Sequence, residues 1–151
     1  MPDSEYAPEV IARIQAVLDH SAATATPEVG RVFAREDWRC DAAAFLAMWQ
    51  AQRWCTVSSV GAKGQPHIAV VHAGFAADGR LTMRMFTGSV RAKDIAANPR
   101  VALSKNLDGA VAMVYGRARA VPGTEAERQG ASTVEVEVDV TRIYAMKPRM
   151  G

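Results

Sequence analysis

Val134-Glu135-Val136-Glu137-Val138-Asp139-Val140 alternates strictly between branched apolar residues and carboxylates. Successive side chains of a strand point to opposite faces, so period two means one buried face and one wet face. The valines belong to a core, and the three acids carry a structural role on the wet side, where charge discourages edge-to-edge pairing. Working outward, the same kind of pattern recurs upstream. Arg53 to Val60 reads as a strand, and Gly61-Ala62-Lys63-Gly64 as a hairpin loop. Gln65 to Phe75 is the next strand, closed by Ala77-Asp78-Gly79, and Arg80 to Thr87 follows with Leu81, Met83 and Met85 on one face. Arg100 to Asn106 and Ala110 to Val121 flank Asp108-Gly109, the strongest short hairpin signal in the chain. Six strands joined mostly by hairpins predict an antiparallel sheet that curls into a split β-barrel with helices packed outside it.

The helical signals lie mainly before residue 53. Ile11, Ile14, Val17 and Leu18 fall at helical spacing between Ala7 and Asp19, and Ser21 to Pro27 reads as a loop. From Val29 to Arg39 the pattern is ambiguous, with Val32, Phe33 and Trp38 as candidate core anchors. Asp41 is placed to cap a helix whose Phe45, Met48, Trp49 and Gln52 share a face. A short helix from Ser89 to Ala97 ends at Asn98-Pro99, because a residue before proline avoids helical angles. Residues 1–52 are thus mostly helical and 53–144 form the barrel, with no repeat or linker to divide residues 1–151 into more than one domain.

The chain has 151 residues, 49% hydrophobic and 23% charged, which suits a globular core and excludes a disordered or collagenous chain. A net charge of +2 does not argue for nucleic acid or membranes as partners. Cys40 and Cys55 lack CxxC spacing and read as reduced thiols, and the start Met1-Pro2-Asp3-Ser4-Glu5 has no signal-peptide character. No apolar run approaches the ~20 residues of a spanning helix. The expected location is the cytoplasm.

Thr87-Gly88-Ser89-Val90-Arg91-Ala92-Lys93 is the most informative stretch for chemistry. Ser89 can cap the following helix, whose first turns carry Arg91 and Lys93 before any acid. Cations oppose the dipole at a helix N-terminus, so the ordering makes sense where an external anion, such as a phosphate, sits among the free N–H groups. Between Arg80 and Lys105 the chain has six basic residues (Arg80, Arg84, Arg91, Lys93, Arg100, Lys105) against Asp94, and from Glu125 to Asp139 the balance reverses.

Trp54-Cys55-Thr56-Val57-Ser58, Gly64-Gln65-Pro66-His67, Phe86-Thr87 leading into Ser89-Val90-Arg91-Ala92-Lys93, then Asn98-Pro99-Arg100-Val101-Ala102-Leu103 and Gly116, resemble in order and spacing the pyridoxamine 5′-phosphate oxidase-like split-barrel superfamily. The resemblance spans about Phe45 to Val140. It implies a six-stranded split barrel that forms a homodimer, with a flavin-type cofactor in clefts at the interface. Residues matching Lys93, Arg91, Thr87 and Ser89 would hold the cofactor phosphate. Those matching Thr56, Val57 and Ser58 would line its ring system, above a floor formed by Pro66, His67, Val70 and Val71.

The sequence departs from pyridoxamine-phosphate oxidation proper: Lys147-Pro148-Arg149 does not supply the arginine-containing C-terminal substrate motif of those enzymes, and only a short connection precedes the last strand. The expectation is therefore an oxidoreductase acting on a small-molecule substrate, with FMN as cofactor and the deazaflavin coenzyme F-420 as the alternative. A non-catalytic flavin- or haem-binding barrel is the rival, with His67 or His72 as the strand candidates for an axial haem ligand. Five residues apart on one strand, these two histidines point to opposite faces and cannot share a metal, so no metal site and no catalytic acid–base pair is expected. His72 shares a face with Ile68 and Val70, which suits a core or interface histidine, and all three tryptophans read as core.

Overall fold

The computed structural model describes residues 5–33 and 35–147. Residues 1–4, Ala34 within the ambiguous 29–39 stretch, and Pro148 and Arg149 of the tail lie outside the described residues. Three helices come first, α1 (Pro8–Ala23), α2 (Pro27–Phe33) and α3 (Ala42–Ala51). Strands β1 (Cys55–Val60), β2 (Pro66–Val71), β3 (Ala73–Phe75) and β4 (Leu81–Phe86) lead to α4 (Val90–Ala97). The chain continues through β5 (Arg100–Leu107), β6 (Ala110–Ala120), β7 (Ala126–Arg128) and β8 (Ala131–Met146).

All strand pairs are antiparallel, in the order β2-β1-β5-β6-β8-β4-β3, with the short β7 attached to β8. The two ends of that order, β2 and β3, are separated in sequence by His72 alone. The stretch expected as one strand from Gln65 to Phe75 therefore breaks at His72. Its first half pairs with β1 and its second with β4, so the curled sheet returns on itself. This is the split barrel, mainly β with flanking helices. The eight strands differ from the six expected through this break and through β7.

Inward positions carry the core. Val57, Leu81, Met83, Leu103, Val114, Val136 and Ile143 are all buried. Asp108 and Gly109 both take positive φ, the backbone that a two-residue type I′ hairpin needs. Gly116 sits at a bulge where β6 crosses from one register on β8 to another. A Cβ there would collide with the carbonyl oxygen of Asp139 and lie 2.7 Å from Val138 Cγ1.

The helices pack outside the barrel. α1 buries Val10, Ile14, Leu18 and Ser21, and Ser21 Oγ accepts from Ile143 N at 3.0 Å, tying the helix to β8. The helix runs to Ala23, through the first part of the expected loop. Asp41 caps α3 by accepting from Ala44 N at 2.8 Å. From α3, Phe45 and Trp49 meet Phe75 of β3 with ring centroids 5.7 and 5.6 Å apart, and Trp49 Nε1 donates to Ala73 O. At the other end of α3, the buried Lys105 donates Nζ to the carbonyls of Trp49 and Gln52, placing a cation on the negative end of the helix dipole.

Three expectations are corrected. β8 is a central strand between β6 and β4, so its carboxylates guard no edge: Glu137 instead bridges Arg119 at 3.2 Å and Arg80 at 3.4 Å. Val32 is exposed and anchors nothing, whereas Phe33 packs on Tyr144 at 5.4 Å. Trp54 is 51% exposed, not core, and His72 is exposed and stacks edge-on against it at 4.3 Å.

Candidate functional site

The break at His72 opens a cleft where β2 and β4 diverge. Its volume is about 370 Å3, and Arg53, Arg84, Arg91 and Arg128 converge on it beside Trp54, Phe86 and Val70. Each arrives from a different element: the approach to β1, β4, α4 and β7. No carboxylate lines the cleft, and none of the four arginines forms an ion pair among the described residues. Arg84 donates to Thr133 Oγ1 and to the carbonyl of Thr124, which fixes its guanidinium at the cleft wall. The Nε of Arg91 is buried with no hydrogen-bond partner. A buried charged donor left unsatisfied is costly, and an anion is one partner able to offset that cost.

The helix that presents Arg91 is tied down. Ser89 Oγ accepts from Ala92 N at 3.2 Å, the expected cap. Three residues after Arg91, Asp94 is buried, and one carboxylate oxygen accepts from Ser59 Oγ and from His67 Nδ1, each at 2.7 Å. These donors, Ser59 first and His67 second, hold the Asp94 carboxyl below its usual range. This is not a nucleophilic relay, because the serine donates to the carboxylate and not to the imidazole, and it is 1% exposed. It is a clasp from α4 to β1 and β2.

Of the residues that the resemblance assigned to the cofactor, Arg91, Val70 and Val71 line the cleft. Lys93, two positions further round α4, is exposed and is not part of its lining. Thr87 is exposed and donates to Ser132 O, and Ser89 is occupied as the cap. Thr56 and Ser58 sit half-buried on the outward face of β1, paired in register with Val70 and Ile68. The Val57 side chain turns into the core, so only its backbone is open to a ligand. Pro66 is exposed near the start of β2, and His67 belongs to the clasp.

The basic stretch from Arg80 to Lys105 is divided by the fold. Arg80 is engaged by Asp78 and Glu137, and Lys105 is buried under α3. Arg53 and Arg128 were not singled out in the sequence, and Arg128 lies in the stretch read as acidic. Only the pairing of β7 with β8 brings it round. A larger hollow of about 570 Å3 shares Arg53, His72 and Arg84 with the cleft, but Glu135 also lines it. Cys40 and Cys55 are free and buried, and burial pushes the Cys55 thiol up to about 11, so it is inert. Among the described residues no cluster of His, Cys, Asp or Glu forms a metal site, and no helix is long and apolar enough to cross a membrane.

The family model for pyridoxamine 5′-phosphate oxidase matches residues 42–147, which covers all eight strands and α4. The chain belongs to that family. No curated protein matches it by sequence. Among solved structures it is similar to the conserved hypothetical protein Rv2991 from Mycobacterium tuberculosis, with a TM-score of 0.62 and 18% identity over 78% of this chain and 94% of that one. An F420 reductase gives a TM-score of 0.56 and 19% identity, over 66% of this chain and 94% of that one. An FMN-binding, pyridoxamine 5′-phosphate oxidase-related protein from Nostoc punctiforme gives 0.51 and 12%, over 60% and 73%. Likeness at these identities establishes the shared fold.

Proposed function

We propose that this chain is a single split-barrel domain that binds FMN in the arginine cleft and acts as an oxidoreductase on a small-molecule substrate in the cytoplasm. The observation that carries the reading is the unpaired, buried Nε of Arg91 in a cleft with three further arginines and no acid. Trp54, Phe86 and Val70 lie beside those guanidiniums, so the cleft suits a molecule with an apolar planar body and an anionic tail. A bound flavin supplies hydride chemistry of its own. The residues of the chain bind its phosphate, orient its ring and exclude water, which is why no acid–base pair is needed. Membership of the family supports the reading, as does the likeness to the FMN-binding protein from Nostoc punctiforme.

The second reading is the deazaflavin coenzyme F-420, favoured by the number of cleft arginines and by the F420 reductase among the structural neighbours. In either case we infer a homodimer. Ile68 and Val70 are 75% and 59% exposed on the outward face of β2, with Trp54 and Val90 also largely exposed, a concentration of apolar surface that marks an association face.

The test is titration of the purified protein with FMN and, separately, with the deazaflavin coenzyme, followed by ligand absorbance and fluorescence. Saturable FMN binding that weakens about ten- to a hundredfold in Arg91→Met supports the first reading, since a hydrogen bond to a charged group contributes roughly 1.5–3 kcal/mol. Binding of the deazaflavin alone selects the second. No binding of either, or affinity unchanged in Arg91→Met, sinks the arginine cleft as the cofactor site.

A further inference from the structure

β3 carries a glycine where a strand favours bulk. Gly74 pairs in regular register with Thr82, between Ala73 opposite Met83 and Phe75 opposite Leu81, so it marks no bulge. Its φ is not positive, so the backbone does not require a glycine there. Ala73 and Phe75 turn inward and Gly74 outward, where nothing lies within 4 Å of the place a Cβ would take. Glycine weakens a strand interior, and one with neither bulge nor crowding marks a place where another group approaches the backbone. In this chain that place is the wall of the hollow of about 570 Å3 beside the arginine cleft.

The charges around that wall say what could lie on it. Arg91 and Arg128 line the cleft alone, whereas Arg53 and Arg84 line the hollow as well. The unpartnered Nε of Arg91 places a cofactor phosphate with the first pair, which leaves the second pair for another anion. One terminal nitrogen of Arg84 donates to Thr124 O and Thr133 Oγ1, so the guanidinium is held in place with its other nitrogens unengaged among the described residues. A planar guanidinium matches a carboxylate edge to edge. Lys105 also lines the hollow, but its ammonium is committed to the carbonyls of Trp49 and Gln52. Glu135 stands opposite Arg84 in register, and its side chain makes no hydrogen bond or ion pair among the described residues. A carboxylate so placed repels a second negative charge, so the hollow suits one anionic group and disfavours two. We propose that the hollow is the substrate site and takes a flat monoanion, an aromatic or conjugated carboxylate whose planar body lies on Gly74 and whose carboxylate meets Arg53 and Arg84. Naming the occupant a substrate rests on the cofactor reading above; its binding does not.

The test is calorimetric titration of the full chain with benzoate, its neutral counterpart benzamide and its dianionic counterpart terephthalate, with and without FMN. Saturable benzoate binding is expected, with benzamide and terephthalate weaker by at least about tenfold. Gly74→Val fills the floor at an outward strand position, where a branched side chain suits the fold, and should reduce benzoate affinity by about tenfold or more. Arg53→Met should do the same, while Glu135→Gln should bring terephthalate to within about threefold of benzoate. Absence of benzoate binding overturns the proposal, as does benzamide binding equally well or a folded Gly74→Val variant at full affinity. Displacement of benzoate by FMN also overturns it, because the hollow would then belong to the cofactor. If the benzoate pattern holds and FMN does not bind, the carboxylate site stands and the cofactor reading alone fails.

Discussion

At the scale of single residues, Asp94 shows how a surface-looking acid becomes structural. Its carboxylate is buried and receives Ser59 and His67, which hold its pKa below the usual value. A carboxyl whose folded pKa is depressed stabilises the fold above its unfolded pKa of about 3.9, and that contribution is lost as pH falls through the lower folded value. The melting temperature should therefore drop with acid below about pH 4, and Asp94→Asn should flatten that slope while lowering the melting temperature at neutral pH by on the order of 5 °C. Thermal unfolding across pH 2.5–6, taken as roughly this acid range, checks both, and an unchanged slope in the variant removes Asp94 from the account. Gly116 is a second such residue. The carbonyl of Asp139 and the Val138 methyl occupy the space of a Cβ, so Gly116→Ala should destabilise by about 1–3 kcal/mol, read as a lowered denaturant midpoint. Neither role was legible from local pattern. Ser59 and His67 lie 35 and 27 residues from Asp94, and only the stacking of β1, β2 and α4 brings the three together.

At the scale of elements, β8 was legible because its period-two pattern is strict, and Asp108-Gly109 because only one turn type suits those residues. The break at His72 was not. Burial continues to alternate through it, with Val71, Ala73 and Phe75 all inward, so side-chain pattern carries no mark of the change. What changes is the ladder partner, from β1 to β4, and that depends on the curl of the whole sheet. The cleft exists because of this switch, which is why its arginines read as scattered charges in the sequence. α4 was legible from Ser89 to Ala97, and its cap gives an element-scale prediction. Ser89→Ala removes the acceptor for Ala92 N and should cost about 1 kcal/mol of stability. Because the first turn presents Arg91, the loss should also weaken FMN binding several-fold without abolishing it. Chemical denaturation and the cofactor titration, run on the same variant, separate the two effects. Full affinity with reduced stability would detach the cap from the site.

At the scale of the molecule, the outward face of β2 exposes apolar side chains to solvent. Ile68 and Val70 stand on it at 75% and 59% exposure, in register with Ser58 and Thr56 of β1, and Val70 also lines the arginine cleft. A partner seated on that face would cover the open side of the cleft and dry it, strengthening every charge interaction within. Association and cofactor binding should then be linked, each tightening the other. The protein is expected to sediment as a dimer and to bury roughly 1,600 Å2 in total if its interface is of ordinary size. Ile68→Asp tests the linkage cleanly. The side chain is mostly in water within one chain, so the substitution leaves the monomer's core untouched while placing a charge where the second copy would pack. A folded monomer with cofactor affinity reduced tenfold or more, on the order of 1.4 kcal/mol, is the expected result. If the variant stays dimeric, the interface lies on another face. If it becomes monomeric at undiminished affinity, the cleft is complete within one chain, and the four arginines with Trp54 and Phe86 suffice to hold the ligand alone.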